Sequence, residues 1–339
     1  MTRTPSSRLV AVLGSALVGL LSPLLLQPAQ AAAPAYVALG DSYASGTGTR
    51  SYISDGTSCQ RSAQAYPSLI AAARGYALNF RACSGATIPD VTNTQLSALT
   101  SATTYVTISV GGNDAGFASV LTECALPGWA SNCNGRIDTA QAFVNSTLPA
   151  QLTTLYSSIR ARSPYAKVVV VGYPRIFMGE DCNALTWFSP AEEARLNQMA
   201  DLINTRTAAA ASAAGFSFAN PTNAFIGHAV CDNPEWINGL SNPISESYHP
   251  KAAGHAGGYT PTVSPLLTGA AVAVTAQVAA DASASGAEQA ALQSQYADAD
   301  RSIEPEVVLA PDLTTTEVRR AARKAGIDLD RFIADSQRR

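Results

Sequence analysis

Short apolar runs rich in β-branched residues alternate with longer helical stretches along most of the chain. This alternation predicts an α/β fold, in which crossover helices join neighbouring parallel strands. The predicted strands are residues 36–39, 78–82, 105–110, 168–171 and 216–219. The predicted helices are residues 67–74, 140–162 and 189–214, the last with Ser189 as its N-cap. Residues 116–136, which hold two cysteines and show little periodicity, are predicted to form a disulfide-bridged loop.

Turns that contain glycine follow three of the predicted strands directly. Gly40 lies two residues before Ser42, Gly85 follows the second strand, and Gly112 precedes Asn113. In an open parallel sheet, ligands bind at the carboxyl ends of the strands. We therefore expect these three turns to line one cleft.

Ser42 stands on the first of these turns, after an apolar strand and before a predicted helix, so its hydroxyl should be exposed above the sheet. A serine hydroxyl is a weak nucleophile at neutral pH and needs an adjacent base. Among the three histidines, His249 is the candidate base, because Glu246 three residues earlier could orient its ring. His228 and His255 are interpreted as structural histidines, and His255 could cap a helix.

The same turns contain three candidate donors for the oxyanion of a tetrahedral intermediate. They are the backbone amides of Ser42 and Gly85 and the side-chain amide of Asn113. Taken singly, Gly85 could serve only a tight turn, and Asn113 could merely cap the helix that follows. Three such turns together with a late histidine favour an active site over packing alone.

The N-terminus has the features of a secretory signal peptide. Arg3 and Arg8 precede an apolar run, residues 9–26, and an A-x-A cleavage site ends at Ala31. A membrane anchor is the alternative, but the apolar run is short for a span and is followed by small residues. We predict a secreted, extracellular protein with a signal peptide over residues 1–31.

The composition changes after about residue 267, where alanine, serine and small polar residues dominate before a charged stretch. This part has few apolar residues for a core of its own, so residues 268–339 are predicted to form an Ala-rich, charged, partly helical or disordered tail. A docking segment for a partner or the cell surface is the alternative. Residues 32–267 are predicted to form the catalytic domain.

Six cysteines lie in the exported part, where an even number favours disulfides. Many pairings are possible, but pairing neighbours in order closes the shortest loops. The favoured pairs are Cys59–Cys83, Cys124–Cys133 and Cys182–Cys231. A zinc site is the competing hypothesis, but the chain has no C-x-x-C pair, so we predict structural bridges and no metal.

The chain has 339 residues, of which 47% are hydrophobic and 14% charged, and its formal net charge is -3. This content is ample for a buried core, but it provides no large basic field to bind phosphate backbones. We expect a monomer without a nucleic-acid partner.

Four ordered blocks resemble the SGNH, or GDSL-type, hydrolases, specifically the secreted lipases and phospholipases A1 of filamentous actinobacteria. The blocks are Gly40-Asp41-Ser42 with Tyr43 where many members have leucine, Cys83-Ser84-Gly85-Ala86, Gly112-Asn113-Asp114, and His249-Pro250. The resemblance spans about residues 35–260. It implies a flavodoxin-like, three-layer α/β/α fold with five parallel strands, in which Ser42 is the nucleophile and His249 the base. It also implies the oxyanion donors Ser42, Gly85 and Asn113.

The chain departs from this family at the acid that orients the histidine. Many relatives carry aspartate three residues before the histidine, whereas this chain has Glu246. Some secreted relatives use a main-chain carbonyl two residues before the histidine, which here belongs to Ser247. The sequence leaves the carboxylate of Glu246 and the carbonyl of Ser247 as equal candidates.

The resemblance implies a carboxylic ester hydrolase that acts on fatty-acyl esters or glycerophospholipids, with transient contact to a lipid surface and no metal or organic cofactor. Five apolar residues could line an acyl pocket or belong equally well to the core: Phe117, Leu126, Trp129, Trp187 and Phe188. A carbohydrate deacetylase of the same fold is the alternative enzyme. A catalytically silent surface-binding protein is a third hypothesis, which the intact candidate site residues disfavour.

Overall fold

Five parallel strands form the central sheet of the computed structural model, which describes residues 1–2, 4 and 32–338 of the chain. The strands are β1 (Ala35–Gly40), β2 (Ala77–Phe80), β3 (Tyr105–Ser109), β4 (Lys167–Val171) and β5 (Ser217–Ala219). Their order across the sheet is β2-β1-β3-β4-β5. The predicted α/β class and the five strands are confirmed, whereas the predicted signal peptide lies almost entirely outside the described residues.

Helices flank the sheet, and together they produce a three-layer arrangement. The α-helices are α1 (Ser42–Ser45), α2 (Tyr66–Arg74), α3 (Ile88–Asp90), α4 (Phe117–Cys124), α5 (Cys133–Ser146), α6 (Leu148–Arg162), α7 (Pro190–Ala213), α8 (Thr260–Thr268), α9 (Ala276–Ala284), α10 (Gly286–Ser294), α11 (Ala297–Asp300), α12 (Thr316–Ala325) and α13 (Leu329–Ser336). Shorter 3₁₀ or π turns are Val91–Gln95, Leu96–Ala98, Thr222–Phe225, Ile244–Glu246 and Gly254–Tyr259. Among the described residues, no helix combines the length and the apolarity that a bilayer crossing requires.

Local sequence explains why these elements form where they do. Strand β4 contains four consecutive valines, all buried, as expected for a central strand covered on both faces. Helix α7 begins with a capping box, in which Ser189 and Glu192 bond each other's backbone amides. Ser189 is therefore the N-cap that the sequence predicts.

Two predicted elements differ from the structure. The predicted helix 140–162 is two helices, α5 and α6, because the chain turns at Thr147 and restarts with Pro149 near the beginning of α6. The predicted loop 116–136 contains α4, which starts after Gly116 in the left-handed conformation. Four of the eight α4 residues are buried, so packing stabilises a helix that weak periodicity did not reveal.

Three disulfides tie the loops to this framework. The bonded pairs are Cys59–Cys83, Cys124–Cys133 and Cys182–Cys231, the set that closes the shortest loops. The first bridge joins the loop before α2 to the turn after β2. It therefore fixes one edge of the region where the strands end.

Residues 276–338, called here the C-terminal segment, pack on the rest of the domain. Helix α9 contacts α2, and α10 contacts β2. The carboxylate of Asp300 is fully buried and accepts hydrogen bonds from Arg61 and Arg81. Ile303 and Val308 lie in the main hydrophobic core. The segment contains helices α9 to α13. It belongs to the same compact unit as residues 33–275, without a boundary at residue 267, because this ionic cluster and these apolar residues dock it.

Candidate active site

The turns after β1, β2 and β3 meet at the carboxyl edge of the sheet. The amide of Cys83 donates to the carbonyl of Gly40 at 3.0 Å, and the amide of Asp41 donates to that of Ser109 at 2.9 Å. Gly40 has φ +127°, and a Cβ there would lie 2.3 Å from the Ser109 carbonyl oxygen. Only glycine fits this close approach between β1 and β3, which brings the first turn against the third.

Ser42 is the first residue of the short helix α1 and is only 5% exposed. The expectation of an exposed hydroxyl is therefore wrong, because the loop that carries His249 lies against this residue. Asp41 caps this helix by accepting a hydrogen bond from the amide of Tyr43 at 3.0 Å. The Oγ of Ser42 lies 2.7 Å from Nε2 of His249. The structure thus joins the predicted nucleophile and the predicted base in one hydrogen bond, although 207 positions separate them.

The other ring nitrogen of His249, Nδ1, lies 2.9 Å from the carbonyl oxygen of Ser247. A carbonyl can only accept a hydrogen bond, so Nδ1 must carry the proton and Nε2 is free to accept one from Ser42. Burial lowers the pKa of His249 to about 4, and the bond to Ser247 opposes this shift. The ring is therefore neutral at pH 7, the form in which it can act as a base.

Glu246, the other group expected to orient the histidine, has different partners. Its buried carboxylate accepts hydrogen bonds from the Tyr52 hydroxyl at 2.6 Å and from Nε of Arg50 at 3.1 Å. Of the two candidates, the Ser247 carbonyl is the one in contact with the His249 ring. Glu246 joins the histidine loop to residues 50–52 instead.

His228 and His255 take no part in the contact between Ser42 and His249. Nδ1 of His255 accepts a hydrogen bond from the amide of Tyr66, the first residue of α2, at 3.3 Å. His255 thus caps a helix, as the sequence suggests, and burial lowers its pKa to about 3. His228 stacks on Trp236 with a centroid separation of 3.6 Å.

The three candidate oxyanion donors have spare hydrogen-bonding capacity. Within the part of the chain that the structure describes, the amides of Ser42 and Gly85 have no acceptor. Nδ2 of Asn113 donates to the carbonyl of Ala86 at 3.0 Å. A side-chain amide has two N–H donors, so the second one is available to a ligand.

An apolar cavity adjoins Ser42. Its lining includes Tyr43, Phe117, Val120, Leu121, Ile176 and Met199. Of the five residues predicted to line a pocket or the core, only Phe117 lies here. Trp129 and Trp187 contact Phe332 of the C-terminal segment, and Phe188 packs in the core against Phe177. Leu126 is outside the cavity lining.

Comparison with known proteins identifies this arrangement. Residues 38–256 match the model of the GDSL-like lipase/acylhydrolase family. The chain belongs to this family. It is 46% identical over 268 residues to Lipase 1 of Streptomyces coelicolor, an alignment that covers 78% of this chain and 96% of that protein.

Two solved structures have the same fold as this GDSL-family chain. An extracellular lipase from Streptomyces rimosus superimposes with a TM-score of 0.66 at 44% identity, covering 69% of this chain and 100% of that one. A phospholipase A1 from Streptomyces albidoflavus gives a TM-score of 0.65 at 46% identity, covering 68% of this chain and 98% of that one. The resemblance inferred from the four sequence blocks is confirmed.

The GDSL-family site also contains polar contacts that the sequence did not reveal. The Tyr173 hydroxyl donates to the buried carboxylate of Asp41 at 2.5 Å and accepts from the Gly112 amide at 3.2 Å. It thereby links the turns after β1 and β3. Burial raises the pKa of Asp41 to about 7, and the Tyr173 bond opposes this rise. The position of Tyr173 just after β4, at the same sheet edge, was the one available signal.

Proposed function

We propose that this chain hydrolyses carboxylic esters through an acyl-enzyme, with Ser42 as nucleophile and His249 as general base. The 2.7 Å contact between Ser42 Oγ and His249 Nε2 carries the proposal, because the opposite ring nitrogen is held by the Ser247 carbonyl. A serine next to a neutral imidazole whose tautomer is fixed in this way is an activated nucleophile. As a member of the GDSL-like family, the chain is a carboxylic ester hydrolase.

In the first half of the reaction, Ser42 Oγ attacks the ester carbonyl carbon while His249 Nε2 takes its proton. The Ser247 carbonyl orients the imidazolium through Nδ1–H, and its dipole stabilises the new positive charge. The tetrahedral intermediate then collapses: the bond to the alcohol oxygen breaks, and His249 returns the proton to that oxygen. Water repeats these steps on the acyl-Ser42 ester and releases the acid.

The negative charge on the substrate oxygen is stabilised by the amides of Ser42 and Gly85 and by the free N–H of Asn113. These groups are fixed before substrate binds, because backbone turns and the Asn113 bond to Ala86 hold them. Preorganised donors of this kind stabilise the transition state more than the ground state.

We infer that the substrates are fatty-acyl esters or glycerophospholipids. The apolar cavity beside Ser42 offers an acyl chain contacts with Phe117, Leu121 and Met199 and few polar groups. The matched relatives are named lipases and a phospholipase A1, which agrees with this choice. Transient contact with a lipid surface would bring such substrates to the site.

We further propose that the protein is secreted and works as a monomer. The predicted N-terminal signal peptide and the three disulfides both suit an oxidising, extracellular environment. N-terminal sequencing of protein from the culture medium tests this, with a start near Ala32 expected. A chain that retained its first residues and stayed with the cells would contradict the proposal.

The test of the function is hydrolysis of p-nitrophenyl esters from acetate to palmitate by the wild type and by Ser42→Ala. We expect the wild-type kcat/KM to rise with chain length and the variant to lose activity on every ester. Ser119→Ala is the matched control, since this exposed helix serine lies outside the site and should not change the rates.

The other outcomes separate the alternatives. Activity confined to acetate would favour a carbohydrate deacetylase. Full activity in Ser42→Ala would refute the assigned nucleophile. Absence of hydrolysis, together with no covalent labelling of Ser42 by a fatty-acyl phosphonate, would favour a silent binding protein.

A further inference from the structure

Tyr43, the residue after the nucleophile, replaces the leucine of many family members and makes a contact that leucine cannot make. Its ring is buried and packs edge-on against Tyr173 and Phe117, at centroid distances of 5.1 and 6.1 Å. Its hydroxyl donates a hydrogen bond to the carbonyl oxygen of Tyr248 at 2.7 Å. Tyr43 therefore connects the helix that carries the nucleophile to the loop that carries the base.

Tyr248 lies between Ser247 and His249 and has an unusual backbone conformation. Its φ is +61°, in the left-handed region that bulky L-residues rarely adopt. Hydrogen bonds hold the two peptide groups that flank Tyr248. The Tyr248 amide donates to the carbonyl of Asn238 at 3.0 Å, and the His249 amide donates to that of Glu246 at 3.2 Å.

This conformation determines which group orients the base. For the Ser247 carbonyl to reach the ring of a residue only two positions later, the backbone must fold back at Tyr248. The left-handed φ provides that fold, and the carbonyl consequently lies 2.9 Å from His249 Nδ1. If Tyr248 relaxed to a negative φ, the Ser247 carbonyl would turn away from the ring, and the Glu246 carboxylate is already bonded elsewhere.

We propose that Tyr43 is a positioning residue whose hydroxyl holds Tyr248 in the left-handed conformation and so keeps the Ser247 carbonyl on His249. The inference rests on the proposed function, because it assigns a role within the same Ser42–His249 pair. It also explains why tyrosine and a carbonyl-oriented histidine occur together in this chain. A carboxylate brings its own charge to the ring, whereas a backbone carbonyl depends on the conformation that presents it.

The test is Tyr43→Phe, which removes only the hydroxyl. We expect kcat on p-nitrophenyl esters to fall roughly ten- to hundredfold, since the Tyr248 carbonyl loses a buried hydrogen bond and the base loses its orientation. KM should change less than about twofold, because the ring still lines the cavity. Tyr156→Phe is the matched control: Tyr156 is fully buried on α6, its hydroxyl has no partner among the described residues, and its variant should retain wild-type kcat.

A spectroscopic measurement separates positioning from general loosening of the structure. The His249 Nδ1 proton, assigned by comparison with His249→Ala, should give a downfield ¹H NMR resonance that shifts upfield or broadens in Tyr43→Phe. In Tyr156→Phe the resonance should stay in place. An unchanged resonance with wild-type kcat in Tyr43→Phe would overturn the inference, as would a rise in KM alone, which would make Tyr43 part of the cavity lining only.

Tyr43→Leu provides a second variant in case Tyr43→Phe does not fold, since leucine occupies this position in many family members. It should show the same loss of kcat and the same change in the resonance. The positioning role of Tyr43 and the proposed function can be refuted independently. Wild-type kcat in the Tyr43 variants alongside an inactive Ser42→Ala would refute only the positioning role, whereas an active Ser42→Ala would refute the proposed function.

Discussion

Buried polar groups occur both at the active site and where the C-terminal segment docks, but they differ in how fully they are paired. At the active site, the amides of Ser42 and Gly85 have no acceptor among the described residues. At the docking site, the two oxygens of Asp300 accept three bonds from Arg61 and Arg81, at 2.5 to 2.9 Å. Unpaired buried donors cost stability unless a ligand uses them, whereas paired ones hold the fold together.

This difference separates two kinds of variant. Changes at the active site should lower the rate of ester hydrolysis far more than any accompanying loss of stability explains. Changes at Asp300 should lower the free energy of unfolding, with loss of activity only where the protein unfolds.

The largest expected effect belongs to His249→Ala. We expect kcat/KM to fall about ten-thousandfold or more, because Ser42 loses its base and the two residues act as a unit. His255→Ala is the contrasting variant, since His255 is equally buried but bonds only the start of α2. Its kcat/KM should stay within about threefold, while its free energy of unfolding falls by about 2–4 kcal/mol from the cavity and the unpaired Tyr66 amide.

Kinetics and thermal unfolding of both variants check this contrast. Retention of activity in His249→Ala, or loss of activity in a folded His255→Ala, would reverse the roles assigned to the two histidines.

Asp300→Asn tests the paired groups where the C-terminal segment docks. Arg81 would lose its carboxylate partner in a fully buried site, so we expect the free energy of unfolding to fall by about 3–5 kcal/mol. Asp298→Asn is the matched control, because its ion pair with Arg301 is exposed and should contribute less than about 1 kcal/mol. Urea denaturation of both variants gives the measurement. Equal stability of the two would mean that the C-terminal segment is not held by its ionic cluster.

Asn113→Ala should have the next largest effect on rate. Loss of one oxyanion donor lowers kcat about a hundred- to a thousandfold, with little change in KM. The same substitution also breaks the bond to the Ala86 carbonyl, so stability must be measured alongside. A folded variant with reduced stability and normal kcat would show that Asn113 serves only the turn.

The residues of the candidate active site could be grouped from the sequence because each of them is encoded locally. Each turn follows an apolar strand, and a parallel sheet brings the ends of such strands together regardless of what lies between them. Ser42, Gly85 and Asn113 could therefore be placed in one cleft from the strand pattern alone. The disulfide pairs could also be predicted from local spacing, because pairing neighbouring cysteines closes the shortest loops.

Contacts between distant segments could not be predicted in this way. Asp300 lies in an alanine-rich stretch, and no feature of the neighbouring sequence predicts its ion pairs with Arg61 and Arg81. The Tyr43 hydroxyl donates a hydrogen bond to the Tyr248 carbonyl, which lies 205 positions later in the chain. Neither residue type predicts the other as its partner. Local composition accordingly suggested a tail where tertiary contacts form a docked segment.

Glu246→Gln should change the rate least of all these variants. Glu246 is three residues from His249, yet its carboxylate is paired with neighbouring side chains as that of Asp300 is. Its carboxylate is bonded by Tyr52 and Arg50, and glutamine keeps an oxygen for the Tyr52 hydroxyl. We therefore expect kcat to change less than about threefold, whereas loss of a true triad acid would cost about ten-thousandfold. Glu193→Gln, which replaces another buried acid on α7, controls for the exchange of a buried carboxyl group for an amide. A folded Glu246→Gln with a hundredfold lower kcat would make the carboxylate part of the catalytic machinery, and the Ser247 carbonyl alone would then be insufficient to orient the base.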